Sequence, residues 1–309
     1  MIRMRQIRAF LAIAQHGSIR AAARAIQVSQ PALSKTLRDF ETALSVPLIT
    51  RSARGVNLTE YGQALRPRCV MVVAEIARAE DELRQLVDLR GGNVVIGLSP
   101  LAALLMGVES LTRLWTVRPE GHVRVVEGMF EFMLAAVEQG RLDFSVGPLP
   151  PFELPGSIVA EPLFKTLQYP MVRTGHPLAG AKSLAALQGA DWIYPNSDPS
   201  FRELIADCFR KVRLDPPRIV LVAESFTIML EILRNTDLIG FTPASLLRHD
   251  LLSKILTVIK VKEALPFTTT ALVRRADVPL TPLAEALAKE FRRASRRVAK
   301  LEANLLLEN

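Results

Sequence analysis

The chain has 309 residues, of which 49% are hydrophobic, so it is long enough for two or three domains with substantial cores. Its two cysteines, Cys69 and Cys208, lie far apart, which excludes a disulfide framework and a CxxC metal site and fits a reducing compartment. The formal charge of +8 is concentrated at the N-terminus, because residues 1–60 carry nine Lys and Arg against three Asp and Glu. That local excess favours a polyanionic partner.

The first two predicted helices are short and meet at a tight turn. Residues 5–15 carry apolar side chains at helical spacing, and Gly17 suits the end of this helix. Ser18 suits the N-cap of a second helix over about 18–26. The alanines of this second helix allow another helix to cross close by.

The third predicted helix, from Gln30 to about Leu44, has one apolar side and one polar side. Ser29 can cap it, and Pro31 falls in the first turn, where the missing N–H costs nothing. The apolar stripe, with spacings of four, three and four, is Leu33, Leu37, Phe40 and Leu44. The side chains away from the stripe that suit base edges and phosphates are Gln30, Pro31, Ser34, Lys35 and Arg38. This order is typical of a helix-turn-helix, and the alternative is a generic three-helix domain with solvated charges.

A β-hairpin is predicted directly after the third helix. A short apolar strand leads to a basic tip with Arg51 and Arg54, and Gly55 precedes a second strand, VNLT. Arginines at such a tip can reach phosphates or the minor groove. Together with the local charge, these features predict a DNA-binding domain over residues 1–58.

The stretch GSIRAAARAIQVSQPALSKTLRDFETALSVPLITR, from Gly17 to Arg51, resembles the N-terminal signature of LysR-type transcriptional regulators. The likeness is close from about residue 5 to residue 65, and the order of the later segments fits the whole chain. It implies that DNA is read by the first turns of the third helix and by the wing. Phe40-Glu41 matches the family's hydrophobic–Glu pair, whereas Ser45 and Ile49 stand where the family often has Gly and Phe.

A long helix is predicted next, over about Thr59 to Leu89. Its apolar positions alternate four and three apart, at Leu65, Cys69, Val72, Ile76, Ala79, Leu83 and Leu86. A seam this narrow favours pairing with another helix, and the alternative is packing on its own domain. The resemblance implies a dimerising linker over residues 59–90. Cys69 is interpreted as a packing residue because it lies on the seam.

The remaining residues, 91–309, alternate strands and helices after the joint RGGN. The first strands and helices predict a parallel α/β layer, after which the chain crosses into a second unit and returns. The resemblance implies a two-lobed fold of the type 2 periplasmic-binding-protein kind. The expected fold class is therefore an α-rich winged helix-turn-helix domain followed by a two-lobed α/β domain. Lobe 1 is expected at about 91–162 and 268–309, and lobe 2 at about 163–267.

Effector-binding residues are expected where strands end and helices begin, because ligands bind beyond the carboxyl ends of strands and helix N-termini favour anions. Ser99 is the strongest candidate, since the resemblance places effector sites after the first strand. The expected set is Ser99, Pro100, Gly128, Met129, Gly147, Ser197, Ser200, Phe201, Phe226, Thr242 and Pro243, with Asn196 and Ser225 beside it. Each Ser or Thr has the alternative of being a simple N-cap, and each Phe of being core. These groups suit a small carboxylate or sulfonate with an aliphatic or aromatic body.

Enzymatic activity is not expected. The four histidines show no HExxH spacing, GLSPL lacks the second glycine of a nucleophile elbow, and no GxGxxG pattern occurs. No cofactor, metal or membrane-spanning segment is predicted, and the charged N-terminus is unlike a signal peptide. A transporter's solute-binding protein is therefore disfavoured. We expect a cytoplasmic regulator that responds to a small anionic effector and binds promoter DNA as a homo-oligomer, a tetramer by resemblance. The alternative is a constitutive DNA-binding regulator without an effector.

Overall fold

The computed structural model of the chain describes residues 2–52, 55–87, 91–150, 152–195, 199–248, 250 and 252–307. The described residues up to Val87 form one compact unit. Those from Gly91 onward, other than 139–141, form a second one.

The first unit contains the predicted helices and hairpin in the predicted order. Its elements are α1 (Met4–His16), α2 (Ile19–Ala25), α3 (Gln30–Leu44), β1 (Ile49–Ser52), β2 (Gly55–Leu58) and α4 (Glu60–Val87). Ser18 caps α2 by accepting from the Ala21 N–H at 3.4 Å, and Ser29 caps α3 by accepting from the Ala32 N–H at 3.3 Å. Both predicted caps are therefore confirmed.

The core of the first unit is built on the predicted stripe of α3. Leu33, Leu37 and Phe40 are buried, and the Phe40 ring meets Phe10 of α1 edge to face with centroids 6.2 Å apart. Ala22 and Ala23 are buried on α2, as expected for a helix that others cross closely.

Hydrogen bonds fix the wing on this core. Glu41 of α3 accepts from the backbone N–H of Leu48 at 2.8 Å and of Ile49 at 3.3 Å. At the other strand, the Val56 N–H donates to the Gly17 carbonyl at 2.8 Å. Gly17 has φ +61°, a conformation that favours glycine, so the turn between α1 and α2 also anchors β2.

The predicted seam of α4 divides into two parts. Leu65 and Cys69 pack into the core of their own unit, so the expectation that they pair with another helix is wrong. Val72, Ile76, Leu83 and Leu86 are exposed, Leu83 by 65%. The seam available to a partner helix therefore begins near Val72.

The second unit alternates strands and helices along the sequence. Its elements are β3 (Asn93–Leu98), α5 (Pro100–Ala102), a π-helical turn (Ala103–Gly107), α6 (Val108–Val117), β4 (His122–Glu127), α7 (Phe130–Glu138), β5 (Phe144–Pro148), β6 (Ile158–Arg173), a 3-10 turn (Leu184–Leu187), β7 (Asp191–Tyr194), α8 (Pro199–Lys211), β8 (Arg218–Val222), α9 (Phe226–Asn235), β9 (Ile239–Pro243), a 3-10 turn (Ala244–Arg248), α10 (Leu252–Ile255), β10 (Leu256–Val258), β11 (Phe267–Arg275) and α11 (Pro282–Leu307).

Two sheets share the long strand β6. The order is β4-β3-β5-β11-β6 in lobe 1 and β6-β9-β7-β8 in lobe 2, with β10 also on β6. The predicted parallel layer of lobe 1 is confirmed for β3, β4 and β5, and β7 likewise runs parallel to β8 and β9. Strands β6 and β11, which link the lobes, are antiparallel to their neighbours, so the complete sheets are mixed.

Each lobe has its own core. In lobe 1, α11 buries Leu287, Phe291 and Val298, and Phe291 meets Phe144 of β5 edge to face at 6.0 Å. In lobe 2, Trp192 stacks on Phe241 with centroids 5.0 Å apart. No helix among the described residues is long and apolar enough to cross a membrane.

Candidate functional sites

The first site is the outward face of α3. Gln30, Pro31, Lys35 and Arg38 are exposed, and Ser34 is half-buried beside them. They lie outside the buried stripe, as the helical spacing predicts. Ser29 is exposed at the N-terminus of the helix, where its hydroxyl is engaged as the cap.

The wing adds cationic charge to the first unit. Arg51 is exposed on β1, whereas Arg54 lies outside the described residues. Arg20 and Arg24 of α2 are also exposed, and neither is among the predicted DNA-binding residues. Their i, i+4 spacing within RAAAR is the signal that places both on one face. The unit therefore presents an amide, hydroxyls and several cations, the groups that contact base edges and phosphates.

The second site is a cavity of about 130 Å³ between the two lobes. One water needs roughly 10–15 Å³ on this measure, so the cavity has room for a small organic molecule. Seven predicted effector residues line it together: Ser99, Pro100, Met129, Phe201, Phe226, Thr242 and Pro243. The starts of α5, α7, α8 and α9 all contribute to this wall. Residues that were predicted because they lie where strands end and helices begin therefore line one cavity.

Several other predicted residues do not line the wall. Gly147 lies behind it, since a Cβ there would come 3.2 Å from the Ser99 Cβ, and Gly128 lies against Phe132. Ser200 is not a wall residue, and Ser225 serves as the exposed N-cap of α9. Asn196 and Ser197 lie outside the described residues.

The linking strands supply polar wall residues that the strand-end rule omits. Gln168 of β6 donates from Nε2 to the Thr268 Oγ1 of β11 at 2.8 Å. Thr268 also shares a 2.9 Å hydrogen bond with Thr166 Oγ1. The only sequence signal for Thr268 is the Thr-rich run inside a predicted strand. Such a run does not show whether a side chain lines a cavity or packs in a core.

The wall is otherwise largely apolar. The further wall residues are Leu101, Phe130, Pro148, Pro195, Glu224, Met229, Phe241 and Leu246. No Lys, Arg or His occurs among the described wall residues, and Glu224 is exposed. A bound ligand would therefore meet an apolar surface with neutral hydrogen-bonding groups and helix N-termini.

Cys69, Cys208 and His176 are buried, and their contacts fit structural roles. Burial raises the pKa of the Cys69 thiol and of the Cys208 thiol, which opposes formation of reactive thiolates. The buried His176 accepts at Nδ1 from the Leu178 N–H at 3.0 Å, with Nε2 3.1 Å from the Asp237 carbonyl oxygen. The described residues contain no group of three His, Cys, Asp or Glu side chains that could hold a metal.

Two family models match this chain. The model of bacterial regulatory helix-turn-helix proteins of the LysR family matches residues 4–63, and the model of the LysR substrate binding domain matches residues 88–296. The transcriptional regulator GbpR of Rhizobium radiobacter is 30% identical over 241 residues, which are 77% of this chain and 80% of GbpR. The regulator GalR of Pseudomonas putida is 25% identical over 290 residues, which are 93% of this chain and 72% of GalR.

Solved structures show the same fold. The crystal structure of CbnR, a LysR family transcriptional regulator, has a TM-score of 0.71 and 19% identity, covering 95% of this chain and 99% of CbnR. Full-length CbnR complexed with its target DNA has a TM-score of 0.70 and 20% identity, covering 95% and 100% of the two chains. The chain belongs to the LysR family, which consists of DNA-binding transcriptional regulators and not of enzymes, and it carries the family's helix-turn-helix and substrate-binding domains.

Proposed function

We propose that the chain reads promoter DNA with a division of labour on α3 and the wing. Gln30 and Ser34 contact base edges, while Lys35, Arg38, Arg51 and Arg54 contact phosphates. Ser29 and Pro31 fix the start of the helix in the groove. The observation that carries this proposal is the exposure of Gln30, Lys35 and Arg38 on α3 outside its buried stripe, with half-buried Ser34 beside them and Arg51 exposed on β1.

The division is tested by binding to operator and to random DNA, with each pair of affinities compared at the same salt concentration and measured over a series of salt concentrations. We expect Gln30→Ala and Ser34→Ala to lower operator affinity by about 1–3 kcal/mol while leaving random-DNA affinity nearly unchanged. Lys35→Ala should weaken both by a similar factor and reduce the salt dependence by about one phosphate contact. Thr42→Ala, exposed near the end of the same helix, is the control. Equal losses on both DNAs for Gln30 and Ser34 variants would refute the division.

We propose that the interlobe cavity binds a small-molecule effector that carries one carboxylate or sulfonate on an aliphatic or aromatic body. The apolar wall suits such a body, and the helix starts together with Ser99 and Thr242 suit a single negative charge. A doubly charged ligand fits less well, because the described wall offers no cation to compensate it. Ligand contact with both lobes shifts their arrangement and, through it, the DNA-binding heads.

A thermal-shift screen of the full chain against small carboxylates and sulfonates tests this proposal. At 100 times its Kd a ligand stabilises the native state by about 2.7 kcal/mol, or about 5–10 °C for a domain of this size. Ser99→Ala should abolish the shift. Ser225→Ala is a matched control, because Ser225 is also an N-cap but does not line the cavity. No shift with any anion would instead favour constitutive regulation or an effector of another class.

We also propose that the chain is a homo-oligomer acting in the cytoplasm, where its promoter DNA lies. The exposed part of the α4 seam, from Val72 to Leu86, is the dimer contact. A two-fold dimer would match a two-fold DNA site. A second apolar strip, with Leu104, Val108 and Trp115 exposed along the α5–α6 helix, supports further self-association to a tetramer.

A further inference from the structure

A second concave surface lies on lobe 2 and shares no residue with the interlobe cavity. This basic depression has a volume of about 510 Å³. It is lined by Leu167, Tyr169, Lys182, Lys260, Val261, Lys262, Glu263, Ala264, Leu265 and Phe267. It combines three lysines with an apolar floor.

The charge of the basic depression is positive, because its lining carries three lysines and one glutamate. Lys182, Lys260 and Lys262 are exposed, and none forms an ion pair with any described residue. The Glu263 carboxylate keeps its charge, and its Oε2 accepts from the Leu184 N–H at 2.9 Å. The Lys262 N–H donates to the Lys182 carbonyl at 3.0 Å, which holds two of the lysine-bearing segments together.

The floor is formed by the two strands that link the lobes. Leu167 of β6 lies opposite Phe267 of β11 in the antiparallel register. Phe267 is 48% exposed, a large aromatic surface that faces no protein core. An apolar body stacked there would remove this surface from water, at about 25 cal/mol per Å².

Strand alternation separates the basic depression from the interlobe cavity. Successive residues of a strand point to opposite faces. Gln168 and Thr268 line the cavity, whereas their neighbours Leu167, Tyr169 and Phe267 line the depression. The two sites therefore lie on opposite faces of the same linking strands.

We propose that the basic depression is a second ligand site, which takes a small organic anion with an apolar body. The anionic group lies among Lys182, Lys260 and Lys262, and the body packs on Leu167 and Phe267. The basic depression shares no lining residue with the interlobe cavity, so the proposal does not rest on the effector proposed there.

Calorimetric titration of the full chain with naphthalene-2-sulfonate at 0.15 M salt tests the proposal, and each variant is measured with and without Ser99→Ala, which removes any binding of the probe in the interlobe cavity. The variant Lys182→Gln/Lys260→Gln/Lys262→Gln should bind the probe at least ten-fold more weakly. The matched control is Lys211→Gln/Lys254→Gln/Lys289→Gln, which removes three exposed lysines that do not line the depression and should bind within two-fold of the unsubstituted chain. Inorganic sulfate should bind at least ten-fold more weakly than the probe, because it lacks the apolar body.

A further variant separates the two sites. Thr242 lines the interlobe cavity and not the basic depression, so probe binding to the basic depression should persist in Thr242→Val. The proposal is overturned if the unsubstituted chain gives no binding heat, if the three glutamines leave the affinity unchanged, or if Thr242→Val abolishes all binding. Circular dichroism of each variant confirms that the folded state is retained.

Discussion

The carboxylate of Glu41 holds the wing on α3, and its removal should destabilise the first unit. One oxygen, Oε1, accepts from the backbone N–H groups of Leu48 and Ile49, both of which are buried. In Glu41→Ala these donors lose that acceptor in a place that water reaches poorly. A hydrogen bond to a charged group contributes about 1.5–3 kcal/mol, and the 3.3 Å bond contributes less than the 2.8 Å bond. We therefore expect a loss of about 2–3 kcal/mol.

Thermal unfolding followed by two signals distinguishes a loss of stability in the first unit from a change in the second unit. A loss of that size lowers the Tm of a unit of this length by about 10–20 °C. Both tryptophans, Trp115 and Trp192, lie in the second unit, so their fluorescence reports that unit. Helical circular dichroism should show an earlier transition while the tryptophan transition stays in place.

Two variants control the Glu41 experiment. Glu41→Gln keeps an acceptor oxygen without the charge, and should lose only about 1 kcal/mol. Asp39→Ala removes an exposed carboxylate two residues away and should have little effect. If Glu41→Ala melts like Asp39→Ala, the carboxylate does not hold the wing.

Three shorter predictions concern other parts of the chain. Ile76→Glu should dissociate the dimer in light scattering, whereas Ala77→Glu, exposed at the next position around α4, should not; an unchanged mass for Ile76→Glu would contradict the seam. Ser45 has φ +57°, so Ser45→Gly should stabilise the first unit by about 0.5–1 kcal/mol in urea unfolding, and a loss of stability would exclude strain there. Burial tends to raise the pKa of Glu109, but Arg297 and Arg113 outweigh it and lower that pKa. Its contribution is therefore present at pH 7 and lost as the pH falls through the lowered pKa, so Glu109→Gln should cost less than about 1 kcal/mol at pH 7, and urea unfolding should show that cost shrinking as the pH is lowered below the ordinary range of a glutamate.

The sequence predicted the first unit closely because its signals are local. A cap, a proline and an apolar stripe lie within fifteen residues of one another, and each acts on the same helix. Glu41 could be matched to a family pair, but its role could not be derived, because the N–H groups it accepts from lie seven and eight residues away. Likewise, Cys69 lies on an apolar spacing that cannot distinguish a partner helix from its own unit's core.

The cavity was predicted only where a local rule applied. Strand ends and helix starts identified Ser99, Met129 and Phe226, since the chain direction places the first two at the carboxyl edge of the lobe 1 strands and the third at that of the lobe 2 strands. Gln168 and Thr268 lie within strands and are 100 residues apart, so their meeting depends on which strands link the lobes. Gly147 was predicted by the same rule but does not line the cavity. It ends a strand and packs behind Ser99, which does line the cavity.

The linking strands also indicate how a ligand could act at a distance. Each lobe has its own core, so the lobes can change their arrangement without repacking either interior. The change would be absorbed by β6 and β11, which carry the hydrogen bond between Gln168 and Thr268 at the cavity wall. A ligand that contacts both lobes and this pair binds one arrangement more tightly than another, and a difference of about 1–3 kcal/mol shifts their ratio roughly 5- to 150-fold. An anion in the basic depression would contact the opposite face of the same strands. Binding at either site would then change the affinity of the other site by the same factor.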